Sequence, residues 1–149
     1  MSVTQVNETN QQSQANYDVS KFLLGNNFFD KNDYTDSGSG STLLEGLLLG
    51  KIAATGKLVA LAPSASDGSQ FPIGMAWFGG APDLVVGAAA TVAVEYVNKG
   101  DVAESKIALP AGVTLDTVIS GDGRTVKDYL NAMGFRLKGG LELTEFDNS

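Results

Sequence analysis

Apolar positions along this chain fall into short runs broken by glycine, and the pattern changes near residue 42. Upstream, "NETNQQSQANYDVS" (7–20) has no run able to bury a core and reads as disordered or extended. "SKFLLGNNFFDKNDYTDSGSGS" (20–41) then places Phe22, Leu23, Leu24, Phe28, Phe29 and Tyr34 beside a charged, glycine-rich tail. "DSGSGST" reads as a flexible linker. The pattern therefore predicts a flexible N-terminal arm over 1–41 and a β-rich domain over 42–149, long enough to bury a single core.

Within the body, "LLLGKI" and "TGKLVAL" read as strands joined by a turn at Ala54-Thr55-Gly56. "PSASDGSQFP" (63–72) is a loop with Asp67-Gly68 at its tip. "IGMAWF" (73–78) reads as a buried strand, broken by "GGAPD". "TVAVEYVNKG" (91–100) alternates, with Val92, Val94 and Tyr96 on one face and Ala93, Glu95 and Val97 on the other. Asn98-Lys99-Gly100 is expected to turn the chain into a return strand, "DVAESKIAL". "TVKDYLNAMG" (125–134) predicts a helix, with Thr125 as N-cap, Asp128 three residues on, and Gly134 as the stop. A weaker helical turn is expected from Thr114. "FRLKGGLELTEF" reads as a hairpin about Gly139-Gly140. The predicted class is mainly β, a β-clip-like or small barrel body with one or two short helices and an extended N-terminal arm.

Composition narrows the chemistry. The chain has 149 residues, no cysteine, no histidine and a formal charge of −7. That removes disulfides, Cys-containing zinc sites and every His-based triad. Positions 1–41 carry five acids and two bases, and the body twelve acids and eight bases. Neither holds a basic run, so nucleic acid is not an expected partner. The first twenty residues have neither a basic nor an apolar region, so no signal peptide is expected. "LLEGLLLGKIAA" (43–54) is too short and interrupted to span a bilayer, so no membrane partner is expected.

No acids form a persuasive catalytic pair. Asp116, Asp122 and Asp128 read as turn formers and caps. "SGDGRTV" (120–126) lacks the third glycine of a dinucleotide motif and the Lys-Ser/Thr of a P-loop, so it reads as a turn into a capped helix. The chain is not expected to be an enzyme, and no cofactor or metal is expected. Trp77 and Phe78 are read as core or as a contact between copies rather than as a binding platform. Val19, Phe22, Leu23, Leu24, Phe28, Phe29 and Tyr34 are too few and too local to form their own core. Each large apolar side chain stabilises by about 1.5–3 kcal/mol when buried, against about 1–2 kcal/mol to order each residue. That balance favours an arm that orders on meeting a partner.

The run "LLEGLLLGKIAATGKLVALAPSASDGSQFPIGMAWF" resembles the lambda-type head decoration proteins of tailed phages. Gly46, Leu49, Gly50, Thr55, Gly56, Lys57, Asp67, Gly68 and Gly74 carry the resemblance, and "VAVEYVNKGDVAESKIAL" extends it through Gly100, Val102 and Leu109. The chain departs from that pattern in its longer, more hydrophobic arm and its C-terminal helix and hairpin. The resemblance implies a homotrimer on the outer surface of an expanded virion head, bound to the major capsid protein and resisting internal DNA pressure. It also implies an arm that is disordered when free and pairs with the capsid when bound. On that reading, deleting 1–36 leaves a folded trimer that no longer binds. The alternatives are a sugar-binding β module using Trp77 and, more remotely, a nucleotide hydrolase on the same scaffold.

Overall fold

The computed structural model describes residues 14–16, 22–36, 38–79, 83–139 and 141–143. Its organising element is a 13-residue strand, β8 (Thr91–Ala103), against which a second 13-residue strand, β2 (Leu23–Thr35), runs antiparallel. Three short strands complete the wall: β4 (Leu48–Lys51), β5 (Leu58–Ala60) and β6 (Gly74–Ala76). β2 meets β5 in parallel at Tyr34 and Leu58, β5 pairs with β4, β4 with β6, and β6 returns to β8 at Met75–Val97 and Ala76–Tyr96. The five strands thus close on themselves as a small mixed barrel.

Alternation along these strands creates two cores. Tyr34, Leu49, Leu58, Ala76, Val94 and Tyr96 come from all five strands and form the barrel interior. A two-stranded ribbon, β3 (Ser41–Leu44) with β7 (Asp83–Val86), contributes Leu43 and Val86 to this core. Leu48, Met75 and Val97, next in sequence to three interior residues, point the other way. They are covered by Ile119, the helix α1 (Val126–Met133) and the strand β9 (Phe135–Lys138).

The turn at 54–56 forms, with Gly56 N–H donating to the Ile52 carbonyl at 2.8 Å. α1 forms as its sequence predicts. Thr125 Oγ1 accepts from Asp128 N–H at 3.1 Å, and Gly134 ends the helix at φ 109°. Val126 and Leu130 are buried on its inner face. The stretch from Thr114 is a single turn, closed by Thr117 N–H to the Thr114 carbonyl, and not a helix.

Three expectations are corrected. First, residues 22–36 are not a flexible arm. β2 is a barrel wall, with Phe22 and Tyr34 buried at 7 % and 6 % exposure. The linker after it is also tied down, because the buried Asp36 carboxylate accepts from Gly38 N–H (2.9 Å), Gly40 N–H (2.8 Å), Ala89 N–H (3.0 Å) and the Ser41 hydroxyl. Second, Asn98-Lys99-Gly100 is no hairpin turn. β8 runs straight through it, and Gly100 (φ 126°) sits against a bulge at Gly25–Asn27 on β2. Third, the described residues on either side of the Gly139-Gly140 pair do not form a hairpin with each other. β9 pairs in parallel with β8 (Phe135–Gly100 to Lys138–Ala103), while β10 (Leu141–Leu143) pairs antiparallel with β1 (Gln14–Asn16).

Candidate interaction surface

The most distinctive surface lies on the first half of β2. In a regular strand two consecutive phenylalanines would face opposite ways. Here the ladder slips: Phe28 pairs with Lys99 and Phe29 with Val97, so β8 carries one extra residue between them. A second slip lies just upstream, between Gly25 and Phe28. It is held by Asn27, whose amide donates to the Asp101 carbonyl at 3.1 Å and whose Oδ1 accepts from Gly25 N–H at 3.1 Å. Asn26 adopts φ 54°, a conformation asparagine tolerates better than most residues. The result is that both rings reach solvent, Phe28 at 56 % and Phe29 at 40 % exposure.

Each exposed ring has one anchor. Phe29 stacks on Trp77 with centroids 4.9 Å apart and planes tilted 43°. The Lys99 ammonium lies 4.5 Å from the Phe28 centroid, a cation–π contact. Trp77 is half-buried and packs against the outer core, while its backbone N–H donates to the Glu95 carbonyl at 2.9 Å. Phe78 is also half-buried, packs against the barrel interior, and donates its N–H to Glu45 Oε2 at 3.3 Å.

The residues expected to act together on a partner therefore separate. Phe28 and Phe29 are exposed, and Trp77 joins Phe29 in the same patch. Phe22 and Tyr34 are core, and Leu23 packs against it. Leu24 is partly buried. Val19 lies outside the described residues. A second exposed apolar area, Leu44 and Val85 on the outer side of the β3–β7 ribbon, carried no signal in the sequence beyond two more aliphatic residues. A groove of about 360 Å³ beside it is lined by Ser39–Thr42 and Val85–Ala88, without an acid, base or aromatic ring.

The acids have structural employment. Asp36 is held far below the usual carboxylate range, first by the Ser41 hydroxyl and then by the three backbone N–H groups. Sequence reasoning missed this staple, although an aspartate followed by Ser-Gly-Ser-Gly-Ser is a signature of side-chain-closed turns. Asp67 is lowered by Ser69, and Asp122 by Arg124, whose Nε donates at 2.7 Å. Arg124 also lies 4.6 Å over Tyr129, so the glycine-rich stretch before α1 is tied to the helix it precedes. Tyr96 is raised by burial and then by the neighbouring Asp30 carboxylate.

A model of the family described as bacteriophage lambda head decoration protein D matches residues 31–120, more than half of the chain. The chain belongs to that family. No curated protein matches it. The match covers β3 to β8 and the end of β2 from Lys31 to Thr35. The aromatic pair Phe28–Phe29, the helix α1 and the strands β9 and β10 lie outside it. Membership gives the chain a phage head decoration role, at the virion capsid and structural in kind.

Proposed function

We propose that this head decoration protein binds the outer surface of an expanded phage head as a homotrimer. It grips the major capsid protein and stabilises the shell against internal DNA pressure. The observation that carries the reading is the family match over the barrel, joined to an exposed aromatic pair on the strand that opens the folded body. Phe28 and Phe29 supply the apolar anchors of the shell contact. Burying the part of either ring still exposed, about half of it, stabilises the complex by about 1 kcal/mol. The segment before Phe22 adds a strand to a sheet edge of the capsid protein, where backbone bonds give affinity with little demand on side chains. Trp77 braces Phe29, and the half-buried edges of Trp77 and Phe78 form a contact between copies. Three copies in one trimer turn weak single grips into a strong attachment.

The acidic charge, with no basic run, favours a protein surface over nucleic acid as the partner. A sugar-binding role gains no support from the geometry, since Phe29 covers part of the Trp77 ring that a sugar would need. Light scattering on the purified protein should give three times the 15.5 kDa chain mass. Mixing with expanded, undecorated heads should give saturable binding that Phe28→Ala/Phe29→Ala weakens by at least tenfold. Full binding by that double variant would remove the aromatic pair from the model. Absence of binding by the unaltered chain would remove the head reading itself.

A further inference from the structure

The chain's additions on either side of the family match meet each other. β2 begins and β9 ends on opposite sides of the same β8 residues. Leu23 pairs with Val102, Ala103 N–H donates to the Phe22 carbonyl at 2.9 Å, and Lys138 pairs with Ala103 on the far side. With neighbouring strands about 4.8 Å apart, the two terminal segments leave the barrel roughly 10 Å apart. β2 is antiparallel to β8 and β9 is parallel to it, so the two segments run in opposite senses. β8 itself stops at Ala103 and turns aside into a 3₁₀ turn at Glu104–Lys106, vacating the space between them. Beyond that point the segments pair directly: Leu141 opposite Asn16, Glu142 opposite Ala15, Leu143 opposite Gln14.

We propose that β10 is an intramolecular sheath for the N-terminal segment. It occupies a backbone edge at residues 14–16 that strand addition to the capsid protein would use, and it must release that edge for the segment to bind. This rests on the strand-addition reading above. The same pairing keeps the edge from recruiting another copy, a standing hazard of unpaired strands. A ribbon of three residues a side is marginal alone, while two tails tethered to adjacent strands meet at an effective concentration on the millimolar scale. The paired form therefore outnumbers the open form, by no more than about tenfold. Head affinity is reduced by the same fraction that the paired form withholds.

The test compares the full chain with a chain ending at Gly139 and with Glu142→Pro, which removes a backbone donor from β10 without shortening it. Backbone hydrogen exchange at 14–16 and affinity for expanded, undecorated heads are measured for all three. The expected result is faster exchange at 14–16 in both variants and head binding tightened by roughly two- to tenfold. Unchanged exchange at 14–16 in both variants overturns the pairing. Faster exchange with unchanged or weakened head binding overturns the sheath. If no form binds heads, the head reading falls and the sheath's role with it, whereas the exchange result still judges the pairing by itself.

Discussion

Replacing Gly100 by alanine tests how β2 is stitched to β8. Gly100 sits at φ 126°, outside the range L-residues adopt, and a Cβ there would lie 2.5 Å from the Asn26 carbonyl oxygen and 2.7 Å from Asn27 Cα. Both neighbours are backbone, held by the Asn27 side chain bridging Gly25 and Asp101, so neither can swing away. Holding alanine in a disfavoured backbone region costs about 1–3 kcal/mol, and forcing a methyl into filled space about 1–3 kcal/mol more. The expected loss is thus about 2–6 kcal/mol. Gly112 is the matched control: its φ is 77°, but nothing lies within 4 Å of an added Cβ, so only the backbone cost of about 1–3 kcal/mol applies. Urea unfolding of Gly100→Ala, Gly112→Ala and the parent reads both. The two variants thus differ by about 1–3 kcal/mol, and with a slope of about 1–3 kcal/mol per molar urea the Gly100 variant should unfold earlier than the Gly112 variant by roughly 0.3–3 M. Equal midpoints would mean that Gly100 faces open space, as in the hairpin turn that its Asn-Lys-Gly context suggests, and the bulge argument would fail.

Phe22→Ala should cost about 3–5 kcal/mol in the same assay, whereas Phe28→Ala, half in solvent, should cost less than about 1 kcal/mol and act on head binding instead. Thr125→Ala removes the cap that accepts from Asp128 and should cost about 1 kcal/mol, with faster hydrogen exchange in the first turn of α1. Asp36 has a folded pKa below its unfolded value, so its contribution is fully present above about pH 5 and drains away as pH falls below the ordinary aspartate range. Asp36→Asn should therefore be less stable at neutral pH and show a flatter loss of stability between about pH 5 and 2. A parallel loss in both proteins would show that the staple is not the acid-sensitive element.

What was legible in the sequence was local. The β4–β5 turn and α1 are specified by residues within a few positions of each other, Gly56 in one and Thr125, Asp128 and Gly134 in the other. The family resemblance rested on the same kind of turn glycines. β2 was illegible because its partner, β8, lies some sixty residues further on, and its own pattern is scrambled. Three slips in register break the alternation, and Asp30 and Lys31 face solvent. Gly100 and Gly139 illustrate the same limit. A glycine that permits a turn also permits a bulge or a simple continuation, and the choice is made by whichever strand edge is nearby. Of the aromatic residues expected on the candidate surface, Phe28 and Phe29 are exposed, whereas Phe22 lies in the outer core and Tyr34 in the barrel interior. Composition cannot distinguish a ring that closes a core from one that faces outward on the same strand.

Removing residues 1–36 tests the central claim most directly, that β2 is a wall of the barrel and not a tether. The deletion takes away Phe22 and Tyr34 from two cores and leaves the ladder edge of β8 without its partner. Two buried rings are worth about 3–6 kcal/mol, before counting the unpaired backbone of a 13-residue strand, against a total stability of about 5–15 kcal/mol for a domain. Thermal unfolding followed by circular dichroism should show no cooperative transition for the chain beginning at residue 37, and a normal one for a chain beginning at residue 22. A cooperative, parent-like transition in the shorter chain would contradict the account.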